Sequence, residues 1–259
     1  RPWHVRSRRD TLLRYDLSLL MNTMSGGGAG EMGADAHVAG TARAHESAIF
    51  DTETGPVYLA DHAVVRPGAI LCGPCYVGPH ATVMERTVIR PNTAIGPYCK
   101  VAGEINGVIF QGYSNKAHDG FLGDSWAGEW VNLGAGTTNS NLLNTYGQVI
   151  SRVSPDSPNE YTGEQFMGAI IGDHVKTAIC TRIMTGVVVH TGAMLAQTAA
   201  VTGCIARFAW CTDEGVQPFR LSKFVEVATA MMGRRGLRPS PAYLKRLEGL
   251  HASVEDKKG

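Results

Sequence analysis

From Leu59 onward, large aliphatic residues recur at every sixth position: Leu59, Val65, Leu71, Val77, Val83, Ile89, Ile95 and Val101. Four places after each of the first seven stands a small residue, in the order Ala63, Ala69, Cys75, Ala81, Thr87, Thr93, Cys99. Turn formers such as Pro67-Gly68, Gly73-Pro74, Gly78-Pro79 and Pro91-Asn92 fall between them. A period of six fits neither the 3.6 of a helix nor the 2 of an alternating strand. A second run, Ile171, Thr177, Ile183, Val189, Leu195 and Val201, resumes the period. Ala127-Gly128 and Leu133-Gly134, again six apart, connect the two. A fixed short period predicts a solenoid. Each hexad supplies one short flat strand whose aliphatic residue points inward, and three hexads close a triangular coil. Coils then stack at about 4.8 Å, so the aliphatic residues form continuous interior columns.

Around this solenoid, expected over residues 45–212, the pattern changes. Residues 1–24 predict a short amphipathic helix, with Leu13, Leu17 and Leu20 on one face and Leu12 and Leu19 widening it. Gly- and Ala-rich residues 25–40 predict a flexible connection, so 1–44 is expected to be linker and helix. Two excursions are expected, at 106–120 and at 139–168, the second carrying Ser154-Pro155-Asp156-Ser157-Pro158. Excursions from a solenoid commonly gather on the binding face. The tail, 213–259, predicts helices near 221–233 and 242–251, separated by Pro239 and Pro241 and packed along the solenoid or over its end.

Composition narrows the function classes. A net charge of +1 argues against nucleic acid as the main partner, since phosphate neutralisation needs a basic face. The stretch 183–206 carries no acid or base beyond His190, but its Gly, Thr and six-residue period oppose a membrane span. Six cysteines with no charged-then-apolar leader predict reduced thiols in a cytoplasmic protein. Gly28-Ala29-Gly30-Glu31-Met32-Gly33 spells a dinucleotide fingerprint, yet lacks the strand before and helix after that it requires. Cys72-Gly73-Pro74-Cys75 imitates a redox pair, but Cys75 occupies a small inward slot; with His80 it has no second ligand pair for zinc. Arg6-Ser7-Arg8-Arg9 is expected to be solvated.

The pattern resembles the hexapeptide-repeat family of left-handed parallel β-helices. That resemblance implies a homotrimer of prisms with sites in the clefts between them. It becomes closer over 103–141. There Gly112-Tyr113-Ser114-Asn115-Lys116-Ala117-His118-Asp119-Gly120-Phe121-Leu122-Gly123-Asp124 is followed by Asn132-Leu133-Gly134-Ala135-Gly136-Thr137 and Asn141. This looks like the acetyltransferase half of the bifunctional N-acetylglucosamine-1-phosphate uridylyltransferase/glucosamine-1-phosphate acetyltransferase family, and more closely its sugar-nucleotidyltransferase relatives. The resemblance covers about residues 57–201.

What the resemblance implies is transfer of an acyl group from acetyl-CoA to a sugar 1-phosphate, without a metal. His118 takes the general-base place. Asn132 and Asn141 match two substrate-contacting asparagines, and the Gly134-Ala135 backbone lies where a main-chain N–H would face an oxyanion. Arg90 and Glu104 match a phosphate-binding arginine and an orienting acid. Asn106 replaces the family's lysine, which Lys116 is expected to compensate, and Phe121 replaces a tyrosine. Cofactor contacts are expected near Thr177, Ala178 and Ile179 and along Ala193 to Ala196. Each residue also has a structural alternative. His118 could order its loop, the asparagines could stack inside the prism, and Arg90 and Glu104 could be solvated charges. Two other functions stay open: the C-terminal part of a sugar-nucleotide pyrophosphorylase whose nucleotidyltransferase domain lies upstream, and a non-catalytic trimerisation scaffold.

Overall fold

The computed structural model describes residues 1–24, 30–31 and 35–255. The chain forms a left-handed parallel β-helix flanked by helices. Helix α1 (His4–Met24) comes first, and α2 (Leu221–Gly233) and α3 (Pro241–Glu255) close the chain. Between them short strands visit three faces in strict rotation. On the first face Ala36–Val38, Val57–Leu59, Cys75–Val77 and Thr93–Ile95 begin a parallel ladder that runs on to Cys204–Ile205. The second face carries Lys100–Val101, Asn115–Lys116, Lys176–Thr177 and Met194–Leu195; the third carries Val88–Ile89, Glu104–Asn106 and Phe121–Gly123. The parallel coil therefore begins at Ala36–Val38, ahead of the expected residue 45. Most of the glycine-rich connection (25–29 and 32–34), including most of the fingerprint, lies outside the described residues.

The period of six is the core. All eight aliphatic residues from Leu59 to Val101, and the seven small residues that follow them, are buried in one continuous cluster or beside it. Each buried aliphatic side chain contributes about 1.5–3 kcal/mol. Thr87 and Thr93 are buried by turning their hydroxyls onto the Met84 and Arg90 carbonyls. Cys75 is fully buried, and burial pushes its thiol far above the ordinary range, so it packs and does not react.

Two expectations about irregular segments are corrected. Residues 106–120 are no excursion, since Ile109–Gly112 and Asn115–Lys116 are regular rungs of the coil. The segment 139–168 does leave the coil, and it forms an antiparallel pair, Ile150–Ser151 with Glu160–Tyr161. At its root the third-face ladder is interrupted. There the Asn139 side chain accepts from the Gly123 N–H at 2.7 Å and donates to the Gly123 carbonyl at 3.0 Å, standing in for a strand.

The basic segment is solvated only at Ser7 and Arg8, and not at Arg6 and Arg9. It lies in α1, where Arg9 is buried and donates to the Gly107 carbonyl and, at 2.9 Å, to Asp124; Arg6 pairs with the same carboxylate at 2.9 Å. Burial of Leu13 and Leu17 against Tyr58 and Ala60 seats the helix, whereas Leu12 and Leu19 are exposed and do not widen that face. At the other end Phe208, Phe219, Phe224, Ala228 and Leu247 bury α2 and α3 against the last coils. Among the described residues no helix is long and apolar enough to cross a membrane.

Candidate functional site

The register of the second face builds an outward polar column. Lys100 pairs with Asn115, Asn115 bridges to Asn132, and Asn132 bridges to Lys176, one residue per coil. At about 4.8 Å per coil, the two lysines stand ~14 Å apart with two asparagines between them. Asn132 is therefore exposed on the face, not stacked inside the prism. The inward asparagine is Asn139, which the sequence did not single out.

Two corners bound this column. Between the first and second faces the chain turns through left-handed residues: His62, His80, Tyr98, Tyr113, Trp130 and His174, at φ between 57° and 61° except Tyr113 at 53°. Such backbone is costly for a bulky residue. Here the rings stack in file, with centroids 4.7 Å apart for His80 and Tyr98 and 4.4 Å for Tyr113 and Trp130. Aromatic pairs of this kind contribute about 0.5–1.5 kcal/mol each beyond area burial, which offsets the strain. The file ends at His174, buried against Phe224 and sharing a 2.6 Å hydrogen bond with the Tyr243 hydroxyl of α3. Burial, with Lys176 adding to it, pushes the His174 imidazole down to about 3.

At the opposite corner, between the second and third faces, lie His118, the Gly134-Ala135-Gly136 turn and Ile179-Cys180. Gly120 ends the His118 turn at φ +109°, and a Cβ there would strike the Thr137 carbonyl, so only glycine fits. Lys116 holds the same turn from within. It is 1% exposed, and its ammonium donates to the carbonyls of Ala102 (3.1 Å), His118 (3.0 Å) and Asp119 (3.0 Å). Burial pushes it down to about 8 against the opposing pull of Asp119. Lys116 thus points into the coil and does not replace a ligand-binding lysine.

Between the corners a cleft of about 760 Å³ opens, and the end of α2 walls it. His118, Asn132, Gly134, Ala135 and Ile179 all line it, as do Lys100, Lys176, Tyr113 and Trp130. From α2 come Ala230 and Met231, followed by Arg234 and Arg235. Neither the four cations nor the aromatic pair were anticipated. The lysines' place in a column and the arginines' return to the coil are properties of the fold. Arg235 is tied down by donating to the Asn115 side-chain oxygen at 2.9 Å.

The other expected residues fall elsewhere. Gly134 does line the cleft, but its N–H is taken by the Thr177 hydroxyl at 2.9 Å, whereas the Ala135 and Gly136 N–H groups of the same turn donate no hydrogen bond within the coil among the described residues. Thr177 is buried, with its hydroxyl also sharing a hydrogen bond with Thr137, so it is not offered to a ligand. Ala193 is an interior residue, a consequence of its small inward slot; Ala178 is half-buried in the ladder; Ala196 is exposed but outside the cleft lining. Of the expected cofactor contacts, Ile179 alone lines the cleft, 72% exposed.

Arg90, Glu104, Asn106, Phe121 and Asn141 lie round the corner, on or beside the third face and outside that lining. Arg90 and Glu104 pair with each other at 3.0 Å, both about half exposed. Asn141 donates to Asp124 at 2.8 Å, and so joins the carboxylate that also anchors Arg6 and Arg9. The Asn106 carbonyl accepts from the Asp124 N–H at 2.8 Å.

No protein-family model matches the chain, and no curated protein matches it. Among solved structures, Francisella novicida UDP-N-acetylglucosamine acyltransferase is 16% identical with a TM-score of 0.30, over 83% of this chain and 76% of that one. A candidate acetyltransferase of Bacillus cereus is 14% identical with a TM-score of 0.27, over 82% and 98%. The acetyltransferase domain of PglB from Neisseria gonorrhoeae is 11% identical with a TM-score of 0.21, over 80% and 66%. At such scores these likenesses carry no argument about activity or substrate.

Proposed function

We propose that this chain is an acyltransferase that moves an acetyl or other short acyl group from coenzyme A to a sugar phosphate, with His118 as general base. The observation that carries the proposal is the convergence of His118, Asn132 and Ala135 on one cleft. The fold brings them there from two coils and two turns. The sequence resemblance over 103–141 supplies the chemistry.

In this mechanism the acceptor's hydroxyl or amine attacks the thioester carbonyl while the His118 imidazole takes its proton. The Ala135 N–H donates to the oxyanion of the tetrahedral intermediate, a large effect in acyl transfer. Collapse breaks the carbon–sulfur bond, and the departing CoA thiolate recovers the proton from the imidazolium. Asn132, exposed in the cleft, orients the acceptor. Ile179 gives the pantetheine arm an apolar contact. The third-face residues Arg90, Glu104, Phe121 and Asn141 stand beyond the His118 corner, where they would hold the distal part of the acceptor. A homotrimer, in which a neighbouring copy covers the open side of the cleft, belongs to the same proposal.

The test is thiol release from acetyl-CoA with a panel of hexosamine and hexose 1-phosphates, comparing the native chain with His118→Ala. One acceptor should give turnover, and the variant should lose about 10²–10⁴-fold in kcat, as removal of a general base does. Turnover by His118→Ala equal to that of the native chain would refute the mechanism. Silence across the whole panel would leave the coil as a support for chemistry located elsewhere.

A further inference from the structure

We propose that the second face and the end of α2 together form a diphosphate-binding site, in which Lys100, Lys176 and Arg234 neutralise the two phosphoryl groups. The proposal rests on the preceding one only in taking this cleft as a ligand site; it does not depend on acyl transfer or on His118.

The first support is the gathering of charge. Lys100 and Lys176 stand on one outward column, and Arg234 reaches the same cleft from the end of α2. None of the three forms a salt bridge among the described residues, and no carboxylate lines the cleft. Collecting like charges around one concave space is unfavourable unless an anion completes it. Lys176 shows this most clearly. It is half-buried, its ammonium has one hydrogen bond, to the His174 carbonyl at 3.3 Å, and burial pushes it down to about 8.

The second support is anchoring. Arg235 is held on Asn115, in the middle of the column, and the His174–Tyr243 hydrogen bond fixes α3 beside it. These contacts set the turn after α2 over the column, which brings the Arg234 backbone to the edge of the cleft. Arg234 itself is exposed and uncommitted. Cations gathered in this way bind phosphoryl oxygens through charge-assisted hydrogen bonds.

Three cations match the charge of a diphosphate better than that of a carboxylate or a single phosphate ester. Lysine backbones ~14 Å apart along the column, whose flexible stems converge from its two ends, suit two adjacent phosphoryl groups. The same chemistry is offered by the 3′-phosphoadenosine diphosphate half of coenzyme A and by a nucleoside diphosphate joined to a sugar. The column binds what these share.

Calorimetry at low ionic strength with inorganic pyrophosphate, ADP, UDP and CoA tests the site directly. Pyrophosphate should bind, and Lys176→Gln and Arg234→Gln should each weaken it about tenfold, the effect of one lost charge-assisted hydrogen bond. Arg234→Lys should restore much of the affinity. Lys223→Gln, on the exposed side of α2, should bind as the native chain does. Tighter binding of CoA than of UDP identifies the cofactor as the source of the diphosphate; the reverse order identifies a nucleotide-linked substrate. Both orders uphold the site. Because His118→Ala should keep full pyrophosphate affinity, loss of catalysis and loss of this site are separable. Unchanged affinity in both glutamine variants, or no binding of any of the four probes at millimolar concentration, would overturn the proposal.

Discussion

Replacing Lys116 by methionine isolates the device that holds the His118 turn. Methionine keeps the volume of the stem and removes the ammonium with its three donated hydrogen bonds, to Ala102, His118 and Asp119. Hydrogen bonds from a charged group contribute about 1.5–3 kcal/mol each, so roughly 5–9 kcal/mol of gross interaction is lost. Against this stands the relief of burying a charge. Burial lowers the ammonium from its ordinary 10.5 to about 8, which corresponds to about 3 kcal/mol at 1.36 kcal/mol per pH unit. The net loss is then roughly 2–6 kcal/mol, readable as a fall in the urea midpoint. The variant should also lose thiol-release activity at temperatures where it is still folded, because two of the three acceptors belong to the turn that carries His118. The pH dependence has a definite sign. With the folded value below the unfolded one, the unfolded chain binds more protons between pH 8 and 10.5, so Lys116 makes the native protein gain stability across that window. The methionine variant should lose that share and keep the one Lys176 contributes over the same window. A loss below about 1 kcal/mol, or the same alkaline gain in both proteins, would refute this account of the turn.

Other perturbations probe the rest of the frame. Removing the carboxylate in Asp124→Ala strands the buried Arg9 guanidinium and frees Asn141, and should cost about 3–5 kcal/mol, checked by chemical denaturation. Because His174 is held neutral by burial, down to about 3, its contribution to stability is complete above pH 6.5 and is lost as the pH falls toward 3. In acid melts the native chain should therefore weaken by about 1.4 kcal/mol per pH unit in that window from this residue. His174→Phe, which keeps the stack, should show a correspondingly flatter profile.

The coil was legible because its information is local and repeated. Leu59 to Val101 recur at six, and a residue whose inward direction recurs every six places can be buried in no other regular structure. The turn at Pro67-Gly68 was legible for the same reason, since it rests on residues next to one another in the chain. What required the tertiary structure was registry between coils. The sequence places Lys116 two residues from His118 but does not reveal that its neighbours Asn115 and Ala117 face the cleft while it faces in, onto the Ala102 carbonyl of another coil. The second-face column joins Lys100, Asn115, Asn132 and Lys176 although up to 44 residues separate consecutive members, because the 139–168 excursion adds chain without adding a coil. Likewise Arg6 and Arg9 read as solvated until Asp124, more than a hundred residues away, is folded beneath them. The sequence by itself therefore determined the coil and its inward columns. The tertiary structure decided which cations share a cleft, since stacking coils converts sequence positions with no local relation into neighbours about 4.8 Å apart.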